Sequence, residues 1–207
     1  MRTLLLTGYE PYGSERSNPT GGIARAMDGR RIGGARVRGV RIPVAVASAG
    51  PRLRRLLDTI EPEGVLCTGV APGRGAVSVE RVAINVLDFR IPDNRGRTYR
   101  DRAIRRVGPT AYLSTLPVRP ILAALAKAGI PAELSNTAGT YLCNFAMYTV
   151  LDHLAANGRE VPAGFVHVPQ TPEACVGRPG MPSMELATTR RAIEIALRET
   201  ARPRQRT

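Results

Sequence analysis

Tryptophan is absent, histidine occurs only at His153 and His167, and Lys127 is the single lysine. The three cysteines, Cys67, Cys143 and Cys175, are far apart and form no Cys-x-x-Cys pair. A structural zinc site needs closely spaced ligand pairs, so no metal is assigned. The odd cysteine count points to free thiols rather than a disulfide framework. No apolar run is long enough to span a bilayer. The three leucines at 4–6 are too few for the h-region of a signal peptide. The expectation is a soluble, cytoplasmic protein with no membrane partner.

Acidic residues are also scarce: 17 against 30 basic ones, for a net charge of +13. Such a balance raises the question of nucleic acid. The arginines, however, are scattered along the chain. Aromatics make up 4% of it and do not interleave with the arginines as base-stacking platforms would. A nucleic-acid partner is therefore not expected, and an arginine-rich binding protein with an inactive site is the weaker alternative.

What is present is an alternation. At 207 residues the chain is long enough for one substantial core. Apolar strand-like runs at 3–7, 35–43, 65–68, 77–89, 110–116, 132–134 and 164–169 are interspersed with helical patterns. Asn18-Pro-Thr20 opens a helix with Asn as N-cap and Pro at the first helical position. The 46–60 segment puts Leu53, Leu56, Leu57 and Ile60 on one face and arginines on the other. Further helices are expected at 118–128, after Cys143, and at 182–201. The pattern predicts one α/β domain over 1–201, a three-layer α/β/α sandwich on a mostly parallel mixed sheet, with 202–207 as a basic, disordered tail. Sites in such folds form at the carboxyl ends of strands. The segments 8–13 and 69–75 and His167 all follow strands in this way. The Gly-rich 69–75 loop matches no phosphate-binding pattern and leads into a strand, so that role is rejected.

The most informative stretch is Ser135-Asn-Thr-Ala-Gly-Thr-Tyr-Leu-Cys143-Asn-Phe-Ala-Met-Tyr148. Loop and cap formers give way to Phe145, Tyr148, Leu151 and Leu154 at helical spacing. Cys143 then stands at a helix N-terminus, where free N–H groups and the helix dipole favour a thiolate. The alternative is a small buried hydrophobe. A nucleophilic cysteine needs a base. His153 lies ten residues along the same helix, roughly 15 Å away at about 1.5 Å per residue. His167, at the end of the following strand, can return beside the helix mouth. Glu80 is the candidate for the group that orients the histidine, because an acid among Val and Ile should be buried and partnered. It could equally be a surface-facing residue paired with Arg81 or another arginine.

Together these residues resemble the pyroglutamyl peptidase type I family, also called pyrrolidone-carboxylate peptidases. The similarity runs from Leu4 to about Leu197. It takes in Thr7-Gly-Tyr-Glu-Pro-Tyr-Gly13, Asn18-Pro-Thr20, Gly69-Val-Ala-Pro-Gly-Arg74 and Val79-Glu-Arg-Val-Ala-Ile-Asn85. It continues through Arg90-Ile-Pro-Asp-Asn-Arg-Gly96, the Cys143 stretch, Phe165-Val-His-Val-Pro169 and Pro182-Ser-Met184. The resemblance implies a cysteine peptidase with a Cys143, His167 and Glu80 triad, no cofactor, and a homo-oligomer. The substrates it implies are pyroglutamyl-blocked peptides or amides. The helix mouth at Cys143 and Arg90 or its loop would hold the oxyanion. Tyr9, Tyr12, Asn18, Val70, Ile91 and Leu142 would bind the lactam ring; each could instead be core or loop. The family usually carries two phenylalanines where Tyr9 and Tyr12 stand, some members have Gln in place of Val70, and the segment 172–182 is short. A cysteine amidohydrolase retuned to another acyl group is the alternative activity.

Overall fold

The computed structural model describes residues 2–13, 15 and 17–202. The basic tail expected at 202–207 lies outside them except for Arg202. The chain begins with β1 (Thr3–Tyr9), α1 (Pro19–Met27), β2 (Arg31–Ile32), β3 (Ala35–Ile42), α2 (Val46–Ile60) and β4 (Gly64–Val70). It continues through β5 (Val77–Glu80), β6 (Val82–Ile84), β7 (Ala111–Leu113), α3 (Val118–Lys127) and β8 (Ala132–Ser135). It ends with α4 (Leu142–Ala156), β9 (Ala163–Val168), the short α5 (Pro172–Cys175) and α6 (Leu186–Thr200).

Seven strands form one sheet in the order β2-β3-β1-β4-β9-β5-β8. From β3 to β9 the strands are parallel, while β2 runs antiparallel at one edge and β5 runs antiparallel to β9. β5 and β8 are parallel to each other. The central strands β4 and β9 are buried along their whole length. That is why Val65-Leu-Cys67 and Phe165-Val read as unbroken apolar runs rather than alternating ones. β3 lies next to the edge, and its exposed Arg36, Arg38 and Arg41 alternate with buried Ala35 and Val37.

Helices cover both faces. Ile23 and Met27 of α1, Ile121 and Leu125 of α3, and Ile193 and Leu197 of α6 share one core with Leu4, Leu6 and Leu66. Leu53 and Leu57 of α2 and Phe145, Tyr148 and Leu151 of α4 share the other with Leu5, Val65 and Phe165. The expected three layers are present, and the 46–60 helix has the expected bounds. Asn18 caps α1: its Oδ1 accepts from the Thr20 backbone N–H at 3.1 Å. α1 lies so close to β1 that a Cβ at Gly8 would stand 2.1 Å from the Thr20 carbonyl oxygen.

Two expectations are corrected, at the last helix and at 110–116. The last helix starts at Leu186, because residues 182–184 run alongside the end of β9: Ser183 bridges to Gln170 and the Met184 N–H donates to the Gln170 carbonyl. The 77–89 run, which could be one strand or two, holds two, with β5 in the main sheet and β6 pairing with β7 in a separate antiparallel ribbon. Of the 110–116 strand only Ala111–Leu113 forms, paired with the three residues of β6. Among the described residues no helix is long and apolar enough to cross a membrane.

Candidate active site

The strand order reverses between β1 and β4: the chain goes from β1 to β3 on one side and then crosses to β4 on the other. Crevices at such reversals, outside the carboxyl ends of strands, are the natural sites of open α/β sheets. A cavity of about 290 Å³ lies there. Tyr9 from the end of β1, Val70 from the end of β4 and His167 from the end of β9 line it, together with Tyr12, Asn18, Arg74, Tyr141, Leu142 and Cys143.

Sheet register explains how the reactive groups meet. His167 on β9 pairs with Gly69 on β4. A Cβ at Gly69 would lie 2.9 Å from the Cys143 Sγ, so the sulfur rests directly over this glycine. Neighbouring strands are about 4.8 Å apart, which brings thiol and imidazole to adjacent strands. On the far side of β9, the fully buried Glu80 at the end of β5 places Oε1 2.8 Å from the His167 Nδ1. A carboxylate at Nδ1 fixes the proton on that nitrogen and leaves Nε2 as the acceptor. His153, by contrast, is 2.7 Å from Asp58 on the outer surface and does not line the cavity.

Cys143 is the second residue of α4, whose N-cap, Tyr141, makes no side-chain cap. The first-turn amides of a helix have no intrahelical acceptors. The helix mouth is held from two sides. Asn144, fully buried, accepts from the Ile84 N–H and donates to the Ile84 and Val86 carbonyls at 2.9–3.0 Å. The Tyr9 hydroxyl donates to the Leu142 carbonyl at 2.5 Å.

The electrostatics differ from the sequence expectation in one respect. Burial, with the Glu80 charge behind it, pushes the Cys143 thiol up to about 12, while the Arg74 cation pulls the other way. A thiol raised in this way rests protonated near neutral pH. Burial also holds the His167 imidazole below its ordinary value, against the bond and charge of Glu80. A neutral thiol beside a neutral imidazole is a general-base arrangement rather than a preformed ion pair. Glu80 remains a carboxylate: burial pushes it up, but the His167 bond and charge, with the Ser135 hydroxyl and the Arg74 guanidinium nearby, prevail and hold it low.

The 90–96 loop lies differently from expectation. Asp93 is buried, accepting from the Val46, Arg95 and Arg97 N–H groups, and the loop folds around it. Arg90 is exposed, and Ile91, 43% exposed, abuts Gly13 on the outer side; neither lines the cavity. The loop reaches the site through Tyr141, whose hydroxyl donates to the Pro92 carbonyl at 3.0 Å.

A family model described as pyroglutamyl peptidase matches residues 2–203. The chain belongs to the pyroglutamyl peptidase family. It is 46% identical over 204 residues to a pyrrolidone-carboxylate peptidase of Pyrococcus furiosus, covering 95% of this chain and 98% of that one. It is 43% identical over 197 residues to one of Yersinia pestis, covering 95% and 92%. Crystal structures of the Pyrococcus furiosus pyrrolidone carboxyl peptidase superpose with a TM-score of 0.92 at 43% identity, covering 94% of this chain and 96% of that one. A mutant of that enzyme gives a TM-score of 0.93 at 42% identity, covering 96% and 97%.

For a member of this family, sequence reasoning missed two cavity residues whose side chains carry polar groups, Arg74 and Tyr141. Arg74 belongs to the Gly-rich 69–75 loop, which matches no phosphate-binding pattern and so carries no signal of its own. Tyr141 lies two residues before Cys143, and its ring packs on Phe89 (centroids 4.4 Å) and faces Tyr12 (6.1 Å). An aromatic so close to the nucleophile was the available signal.

Proposed function

We propose that this chain is a cysteine exopeptidase that hydrolyses the amide bond after an N-terminal pyroglutamyl residue, with Cys143 as nucleophile, His167 as base and Glu80 as its orienting group. The observation that carries the reading is the Glu80–His167 bond on β9, next to Gly69 of β4, over which the Cys143 sulfur rests.

His167 Nε2 takes the thiol proton as Sγ attacks the carbonyl outside the lactam ring. The carbonyl π-pair moves to oxygen, and the first-turn amides of α4 receive that charge. Collapse breaks the C–N bond, His167 returns the proton to the leaving amine, and a thioester remains. Water, deprotonated by His167, adds to the thioester and releases pyroglutamate and the thiol. Glu80 keeps Nδ1 protonated and stabilises the imidazolium.

Pyroglutamate is an uncharged lactam, which suits a wall of Tyr9, Tyr12, Val70 and Leu142. No carboxylate lines the cavity among the described residues. Glu10 is turned away: its Oε1 accepts from the Val44 N–H at 2.9 Å and from Asn94 Nδ2 at 3.0 Å. A protonated prolyl nitrogen would find no counter-charge. The reading includes a cytoplasmic location, supported by three free cysteines, and a homo-oligomer as the family resemblance implies.

The test is kcat/KM for pyroglutamyl- and prolyl-aminomethylcoumarin. A site that hydrogen-bonds the lactam should reject proline by ~10⁴-fold or more. Equal rates would remove the pyroglutamyl assignment and favour the retuned amidohydrolase.

A further inference from the structure

Glu80 reaches His167 through one oxygen only. Oε1 accepts from His167 Nδ1 at 2.8 Å and from Arg74 Nη1 at 2.7 Å, whereas Oε2 is buried with no hydrogen-bond partner among the described residues. A carboxylate with both donors on one oxygen can lower its energy by rotating, unless something holds it. Arg74 is itself held. Its Nη2 donates to the Thr137 carbonyl at 3.1 Å, and Nη1 also stands 3.5 Å from Ser135 Oγ. The side chain bridges from the loop after β4 to the end of β8 and the start of the loop that leads to Cys143. Half-buried, it also lines the cavity.

We propose that Arg74 is a positioning residue of the reaction: its guanidinium pins Glu80 Oε1 toward His167 Nδ1 and so fixes the tautomer and aim of the base. The assignment rests on the triad read above. A planar fork suits the task because one nitrogen holds the carboxylate while the other holds the Thr137 carbonyl; an ammonium cannot do both in that geometry. The charge matters as well. The titratable groups around His167 are Glu80 from β5, Arg74 from the loop after β4, and Cys143, Tyr9, Tyr12 and Tyr141, which line the same cavity. Arg74 opposes protonation of the imidazole and so keeps the base free.

The test is a double-mutant cycle on pyroglutamyl-aminomethylcoumarin with Arg74→Gln, Glu80→Gln and the pair, alongside Arg74→Lys and Cys143→Ala. Outer partners of metal-bound histidines typically cost about 10–100-fold when removed, and a histidine held by a carboxylate is the same construction. Arg74→Gln should lower kcat by that order with KM nearly unchanged. It should also move the acid limb of the kcat/KM profile to higher pH. Because Arg74 acts through Glu80, it should cost little more in a Glu80→Gln background. Arg74→Lys should keep the acid limb near wild type and lose kcat to an intermediate degree.

Additive losses in the cycle, a change in KM alone, or an unmoved acid limb would overturn the proposal. If Arg74→Gln does not fold, the lysine variant decides, and wild-type kcat in it refutes the two-anchor role. An active Cys143→Ala would instead refute the triad itself, so the two failures are separate.

Discussion

Tyr9→Phe isolates one hydroxyl. The Tyr9 ring is 4% exposed, and its O–H donates to the Leu142 carbonyl at 2.5 Å. Phenylalanine keeps the ring and leaves no cavity larger than the lost oxygen. The Leu142 carbonyl still receives its own helical bond from four residues on, so no acceptor is wholly orphaned. The expected cost is therefore the net worth of one buried hydrogen bond, about 1 kcal/mol. For a chain of this length that lowers Tm by roughly 2–4 °C. Leu142 precedes the nucleophile, so the loosened helix mouth should appear in kcat. The loss in kcat/KM should stay under about tenfold, or ~1.4 kcal/mol.

The assay is thermal unfolding together with steady-state kinetics on pyroglutamyl-aminomethylcoumarin, with Tyr12→Phe as comparison. Tyr12 is only partly buried, and its hydroxyl bonds to no other described residue. It should leave Tm nearly unchanged. An unaltered Tm in Tyr9→Phe would refute the clamp. A raised KM with unchanged kcat would mean that the hydroxyl touches substrate instead of helix.

The layers of this fold were legible because each element's burial is written in its period. The 46–60 helix shows a leucine stripe, and β4 and β9 show unbroken apolar runs because both of their faces are covered. The Cys143 helix mouth was legible from the change from loop formers to spaced apolar residues. The elimination of His153 needed only helix rise. Three features depend on tertiary placement and leave little trace. The turn of the 90–96 loop is decided by Asp93 bonding to the Val46 N–H across 47 positions. The split of 77–89 between two sheets depends on where β7 returns. The thiol's raised pKa comes first from burial, which the place of Cys143 in the sequence does not reveal. Arg74 reaches Glu80 over six positions and Thr137 over 63; only the second distance explains why its partner could not be read.

Cys143→Ala should abolish turnover and keep the fold, since alanine fits a helix start; near-wild-type rates would falsify the nucleophile assignment. Glu80→Gln should lower kcat far more than it raises KM, because the amide keeps the shape and loses the charge that supports the imidazolium; a silent variant would remove Glu80 from the mechanism. Gly69→Ala should cut kcat sharply, because the new methyl would lie 2.9 Å from both the Cys143 Sγ and the Phe165 ring; unchanged kinetics would mean that the sulfur does not rest over the strand. Stability should fall in alkali. Burial holds Cys67 at about 11 and, with the Glu80 charge, Cys143 at about 12, against an ordinary value of 9.0. Both folded-state values are raised, so the folded chain keeps protons that the unfolded chain releases. This contribution is intact below pH 9 and is lost as pH rises toward 11–12. One pH unit into that window is worth about 1.4 kcal/mol per thiol at most. Urea midpoints at pH 8 and pH 10, for wild type and Cys67→Ala, measure it. The alanine variant starts from a lower midpoint because of its cavity, but it should lose less between the two pH values. Equal losses in both proteins would show that Cys67 does not govern the alkaline limb.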